Sequence, residues 1–172
     1  KLNIVTVMQE EKGVAGARNA GIKKAQGEYV MFLDADDYLA EDTLEALAEK
    51  AEPETVVYIS KTETWYSRKV FQDNGEKLDE QNDTNGDEGE ETEVDPENPY
   101  EYLIINTKKW QNISTLGLLI PRRLLIENPI HFCEELEYDS DIPVLMEILA
   151  KAPKTVYQEK GTYIKRKHND PI

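Results

Sequence analysis

Short runs of β-branched and apolar residues alternate along this chain with stretches whose apolar positions recur three and four residues apart. That interleaving predicts an α/β fold. Leu2, Ile4, Val5 and Val7 predict a strand over residues 1–8. Gly13 and Gly16 flank the start of a helix reaching Lys24, with Val14, Ala17, Ala20, Gly21, Ile22 and Ala25 as its packing face and Gly27 as a left-handed cap. Tyr29 to Leu33 is apolar without alternation, the pattern of a central strand buried on both faces. A helix over Ala40 to Ala51 follows, with Leu44, Leu47 and Ala48 inward and Pro53 as its stop. Thr55–Ile59 and Thr64–Phe71 read as strands.

After residue 98 the same alternation resumes. A short helical segment is expected from Tyr100 to Ile105, and a strand from Leu116 to Ile120. Pro121 opens a helix over Arg122–Glu127, since a first helical position tolerates its missing N–H. A longer helix spans Asp139–Ala152, with Pro143 in its first turn and Ile142, Leu145, Met146 and Leu149 inward. Thr155–Tyr157 and Thr162–Lys165 read as short strands, and the tail turns basic through Arg166, Lys167 and His168.

Residues 73–98 break the pattern. They are rich in acids, asparagine and glycine, and read as a flexible acidic insertion. Asp83 to Gly89 approaches a calcium-loop spacing but has Glu88 at position six and Val94 at position twelve, so a solvated loop is the better reading. The 172 residues form one domain by size, with a net charge of −15. That charge argues against nucleic acid and against direct binding to an anionic membrane. A single cysteine, Cys133, makes no internal disulfide and reads as a small buried apolar residue in a cytosolic chain. In that compartment the Asn82-Asp83-Thr84 and Asn112-Ile113-Ser114 sequons carry no meaning.

The chemistry concentrates where the Tyr29–Leu33 run ends, at Asp34-Ala35-Asp36-Asp37. If the strand continues, Asp34 and Asp36 point the same way. Neighbouring carboxylates repel, so a cation or a hydrogen-bonding ligand is expected between them. Oxygen-only ligation suits Mg²⁺ or Mn²⁺, which keep positions for water and phosphate. The competing reading makes Asp36 or Asp37 a cap for the next helix.

The segment Ala17-Arg18-Asn19-Ala20-Gly21-Ile22, then Gly27-Glu28-Tyr29, then Asp34-Ala35-Asp36-Asp37 resembles the central part of family 2 glycosyltransferases, enzymes of GT-A fold that use nucleotide-diphosphate sugars. The resemblance implies a GT-A-like, Rossmann-like mixed sheet flanked by helices. It implies that Asp36 coordinates Mn²⁺ or Mg²⁺ at the donor diphosphate, that Asp34 faces the ribose and metal, and that Arg18 lies on the nucleotide side. Phe132-Cys133-Glu134-Glu135-Leu136 with Asp141 at a helix start is similar to the family's acceptor-side segment, which implies Asp141 as general base in a half spanning residues 99–172. Asp139 is the alternative register. A first-turn acid favouring the helix dipole is the alternative role for Asp141.

A fainter similarity to bacterial wall teichoic acid glycosyltransferases implies His168 as a metal or diphosphate contact. The family's opening strand and its later Asp-Asp strand have no match here. The chain is therefore expected to begin inside a larger protein and to lack the first βαβ part of the nucleotide-binding half. The expected function is inverting, metal-dependent sugar transfer from a nucleotide-sugar donor, UDP-linked, to a glycan or polyol-polymer acceptor, in the cytoplasm and at most peripheral to the membrane. A non-catalytic carbohydrate- or polymer-binding remnant is the rival expectation.

Overall fold

The computed structural model describes residues 3–8, 13–59, 62–67, 114–136 and 138–168. The acidic insertion and the helix expected at 100–105 lie outside them. The described elements are α1 (Val14–Lys24), β1 (Tyr29–Val30), β2 (Tyr38–Leu39), α2 (Thr43–Glu49), β3 (Thr55–Ile59), β4 (Thr62–Ser67), β5 (Leu118–Pro121), α3 (Arg122–Glu127), α4 (Asp141–Lys151), β6 (Lys154–Gln158) and β7 (Tyr163–His168). The fold is mixed α/β, as the alternation predicts.

Four strands form one sheet in the order β1-β5-β3-β6, and three form another in the order β2-β7-β4. β3 runs parallel to β6 and antiparallel to β5, so the larger sheet is mixed. Each described strand pair joins a strand from residues 29–67 to one from residues 118–168.

β3 is the hub of the larger sheet. Its Thr-Val-Val-Tyr-Ile sequence is β-branched or aromatic throughout, and all five residues are buried. Alternate side chains serve different cores. Val56 and Tyr58 join Phe32, Leu118, Ile120 and the inner faces of α1, α3 and α4. Val57 and Ile59 join Leu47 and Tyr163 on the other side.

Several expectations shift. Residues 3–8 carry no regular structure, and Ile4, Val5 and Met8 stand largely exposed. Apolar spacing gives a strand a face but not the hydrogen-bonding neighbour that its ladder requires. The Tyr29–Leu33 run packs on two sides, with Val30 and Phe32 in the first core and Met31 in the second. Yet β1 covers only Tyr29–Val30 and ends the described strand order, because the chain then leaves β5 and Phe32 bridges Leu116 instead.

Helix faces are rotated as well. α1 buries Ala15, Gly16, Asn19 and Ile22, while Val14 is exposed. α2 buries Thr43, Ala46 and Leu47, and leaves Leu44 exposed. α4 buries Val144, Leu145, Ile148 and Leu149, not Ile142 or Met146. In each case a polar anchor or the contact layer selects one of two adjacent apolar stripes that periodicity leaves equivalent. Ala25, in extended backbone, caps α1 by donating its N–H to Gly21 O, so the left-handed cap expected at Gly27 is not used. The left-handed glycine that matters is Gly161, at φ 93, where a Cβ would meet the Thr43 Cα at 3.1 Å. Thr43 and Thr162 exchange two hydrogen bonds beside it, of 2.9 and 3.1 Å, and so fix β7 against α2.

Candidate functional site

α1 begins at Gly13, whose φ of 96 gives the chain its entry angle. The helix points Arg18 between two carboxylates. Arg18 Nη2 donates to Asp34 Oδ1 at 2.8 Å, and Nη1 donates to Asp141 Oδ1. The guanidinium also lies 5.3 Å from the centre of the Phe132 ring and 6.0 Å from that of Phe32. Those rings meet edge to face at 5.1 Å and wall the cation from water. The Arg18 side chain is 11% exposed and that of Asp141 14%, but that of Asp34 is 38% exposed. The cluster thus has a dry side and a wet side, and Asp34 is on the wet one.

Asn19 sits one position on, and is buried. Its Nδ2 donates to Phe132 O at 2.8 Å and to Glu134 Oε1 at 2.7 Å, and its Oδ1 accepts the Phe132 N–H at 2.8 Å. The Phe132–Glu134 segment is therefore pinned on α1. α4 starts at Asp141, which also accepts hydrogen bonds from Ser114 Oγ at 2.5 Å and from the Thr115 N–H at 3.3 Å. Asp139 stays exposed with a φ of 56, so Asp141 is the acid brought to Arg18.

The acidic turn closes with an Asp37 N–H to Asp34 O bond of 3.1 Å. Asp36 is exposed in this turn. Asp37 is fixed to β7: Tyr163 Oη donates to its Oδ2 at 2.8 Å, and the Arg166 N–H donates to its Oδ1 at 2.9 Å. The same Tyr163 hydroxyl accepts the Asp34 N–H at 3.3 Å. Burial of Tyr163, with the Asp37 and Asp34 carboxylates beside it, holds its hydroxyl well above the usual tyrosine range. No side chain caps α2, whose N-cap is Asp42, so Asp36 and Asp37 do not serve as its caps.

The residues fit a divalent cation in one specific way. Asp34 Oδ2 accepts no hydrogen bond among the described residues, and Asp36 faces solvent. The described residues hold no group of three or more histidine, cysteine or acidic side chains able to bind a metal alone. One or two carboxylates that leave the other positions to phosphate and water are the usual Mg²⁺ pattern. His168 closes β7 opposite Ser67, and its side chain lies outside the described residues.

The structure thus brings Arg18, Asp34 and Asp141 together. Ser114, Asn19, Tyr163 and the stapling role of Asp37 are additions. Asn19 lies inside the motif that carries the resemblance. Nothing local marks Ser114 or Tyr163.

A mixed sheet flanked by helices, with carboxylates at strand and helix ends around one arginine, is an α/β architecture of the GT-A type. The profile of Glycosyl transferase family 2 matches residues 1–111, and the chain belongs to that family. An uncharacterized glycosyltransferase of Haemophilus influenzae is 59% identical over 34 residues, which is 20% of this chain and 14% of that one. The minor teichoic acid biosynthesis protein GgaB of Bacillus subtilis is 49% identical over 43 residues, 25% of this chain and 5% of that one. The crystal structure of S. aureus TarS 1-349 in complex with UDP-GlcNAc shares the fold, with a TM-score of 0.66 at 22% identity, over 99% of this chain and 43% of that one. The chain thus spans less than half the length of these relatives. Among the described residues no helix is long and apolar enough to cross a membrane.

Proposed function

We propose that the protein transfers a sugar from a nucleotide-diphosphate donor, uridine-linked, to a hydroxyl of a glycan or polyol polymer, with inversion. The observation that supports this most directly is the joint hold of Arg18 on Asp34 and Asp141, acids far apart in sequence. It draws the proposed donor-side acid and the proposed base to one guanidinium. The family membership and the complex of TarS 1-349 with UDP-GlcNAc support the donor class. The name of GgaB, a minor teichoic acid biosynthesis protein, supports a polyol-polymer acceptor of the teichoic acid kind; the proposed location is the cytoplasm, at most peripheral to the membrane.

In this reading Asp34 and Asp36 would hold Mn²⁺ or Mg²⁺, which when bound neutralises charge on the departing diphosphate. Arg18 orients Asp34 and adds positive charge on the nucleotide side. Asp141 accepts the proton of the acceptor hydroxyl as that oxygen attacks the anomeric carbon. Phe32 and Phe132 exclude water behind the cluster, which strengthens its electrostatics.

The rival reading, a non-catalytic polymer-binding domain, draws on the three donors that already engage Asp141. Calorimetric titration of the full chain with UDP, with and without Mn²⁺, tests the proposal. Metal-dependent affinity is expected. Binding of glycan polymer without any binding of UDP plus Mn²⁺ would favour the rival.

A further inference from the structure

The two oxygens of Asp141 are held unequally. Oδ1 accepts from Arg18. Oδ2 accepts from both Ser114 Oγ at 2.5 Å and the Thr115 N–H at 3.3 Å. A carboxylate offers about two lone-pair directions per oxygen. Oδ2 is therefore fully engaged by the protein, and among the described residues Oδ1 keeps one direction open.

Ser114 is itself held. It is 7% exposed, and its Oγ accepts the Leu116 N–H at 3.2 Å. Leu116 in turn bridges to Phe32, two residues before Asp34. A chain of contacts thus runs from the segment that delivers Asp34 to the serine that holds Asp141. It is independent of Arg18.

We propose that Ser114 is a positioning residue for Asp141. Resting on the reading of Asp141 as base, it anchors Oδ2 and leaves the open lone pair of Oδ1 as the proton acceptor. In that step the acceptor O–H bond breaks and its proton goes to Oδ1. The acceptor oxygen bonds the anomeric carbon, and the diphosphate leaves with the electron pair of the broken C–O bond. Ser114 keeps its own proton throughout. Its hydroxyl never touches substrate.

The test uses the full chain carrying Ser114→Ala or Ser114→Thr, with UDP-GlcNAc as donor probe and UDP release as readout. Ser114→Ala is expected to lower kcat about tenfold or more, since a small misplacement of a reacting group is that costly. Calorimetric UDP affinity should stay within about twofold, because the Ser114 hydroxyl bonds the proposed base and reaches the Asp34 segment only through the Leu116 backbone. Ser114→Thr retains the hydroxyl and should recover most of the rate. A Ser114→Ala chain that turns over like wild type overturns the inference alone. So does a Ser114→Thr chain as slow as the alanine variant, or a loss of UDP affinity matching the loss of rate. A wild-type chain that releases no UDP overturns the functional reading and this inference together.

Discussion

Asn19 and Phe132 exchange a pair of hydrogen bonds: the side-chain amide donates to the Phe132 carbonyl at 2.8 Å and accepts the Phe132 N–H at 2.8 Å. One side chain thus satisfies both backbone groups of a buried residue 113 positions away, much as a neighbouring strand would. It also sets the Phe132 ring under Arg18. Asn19→Ala leaves those two backbone groups without partners and should destabilise the protein by about 2 kcal/mol. Urea unfolding checks this. A loss under about 0.5 kcal/mol, the usual size for an ordinary surface change, would contradict the clamp.

Arg18 and Asp141 should be coupled energetically as well as spatially. With both side chains mostly buried, Arg18→Ala leaves uncompensated carboxylates and should cost about 3 kcal/mol or more. Adding Asp141→Asn should cost less in that background than alone. A double-mutant cycle measures the difference, expected at roughly 1–3 kcal/mol. Strict additivity would mean that the pair does not hold the site.

The three acids of the turn should separate by role. Asp36→Asn is expected to abolish metal-dependent transfer in the full chain and to leave the melting temperature near wild type, because Asp36 is exposed. Asp37→Asn should mainly lower stability, because both Asp37 oxygens are bonded to β7. Activity assays paired with thermal melts decide. Full turnover by Asp36→Asn would remove the metal assignment.

Tyr163 gives a pH signature. Its hydroxyl is held above the ordinary value of about 10, so the folded state binds that proton more tightly than the unfolded chain does. Its neutral form is present in both states below pH about 10, and no stability is lost there. Above that pH the unfolded chain ionises first, and stability falls as pH rises. Urea midpoints between pH 8 and about 11 should decline in wild type and decline less in Tyr163→Phe. Parallel curves would show that Tyr163 does not carry the alkaline loss.

What the sequence reveals and what it hides divide along physical lines. The bounds of α1 and β3 are legible because local signals agree: Gly13 before the helix and Lys23–Lys24 at its end, and an unbroken β-branched or aromatic run for the strand. Helix faces are not legible. α4 carries apolar residues on adjacent stripes, and only the layer it meets selects Val144 and Ile148 over Ile142 and Met146. The pairing of Arg18 with Asp34 is within reach of a local reading because the two lie sixteen positions apart in one motif. Ser114 looks like the end of an irrelevant sequon, and Tyr163 like any strand tyrosine. Their roles exist only across long chain separations, where no local pattern records them. Asp37 misleads in the opposite way, because its neighbours suggest a ligand and its contacts make it a staple.

The cross-pairing of the strands has a consequence for how the protein is made. Among the described residues, no strand from the first half pairs with another from that half. During synthesis β3, β-branched or aromatic on both faces, leaves the ribosome long before β5 and β6 exist. At roughly 5–20 residues per second it waits several seconds for these two described partners. Such a segment is a template for wrong pairing until residues 118–158 arrive. Truncation after residue 111, the end of the family-matched stretch, would remove every described partner of β1 to β4. Among the described residues, the strands of the family-matched stretch thus take their partners from residues 118–168, outside the match.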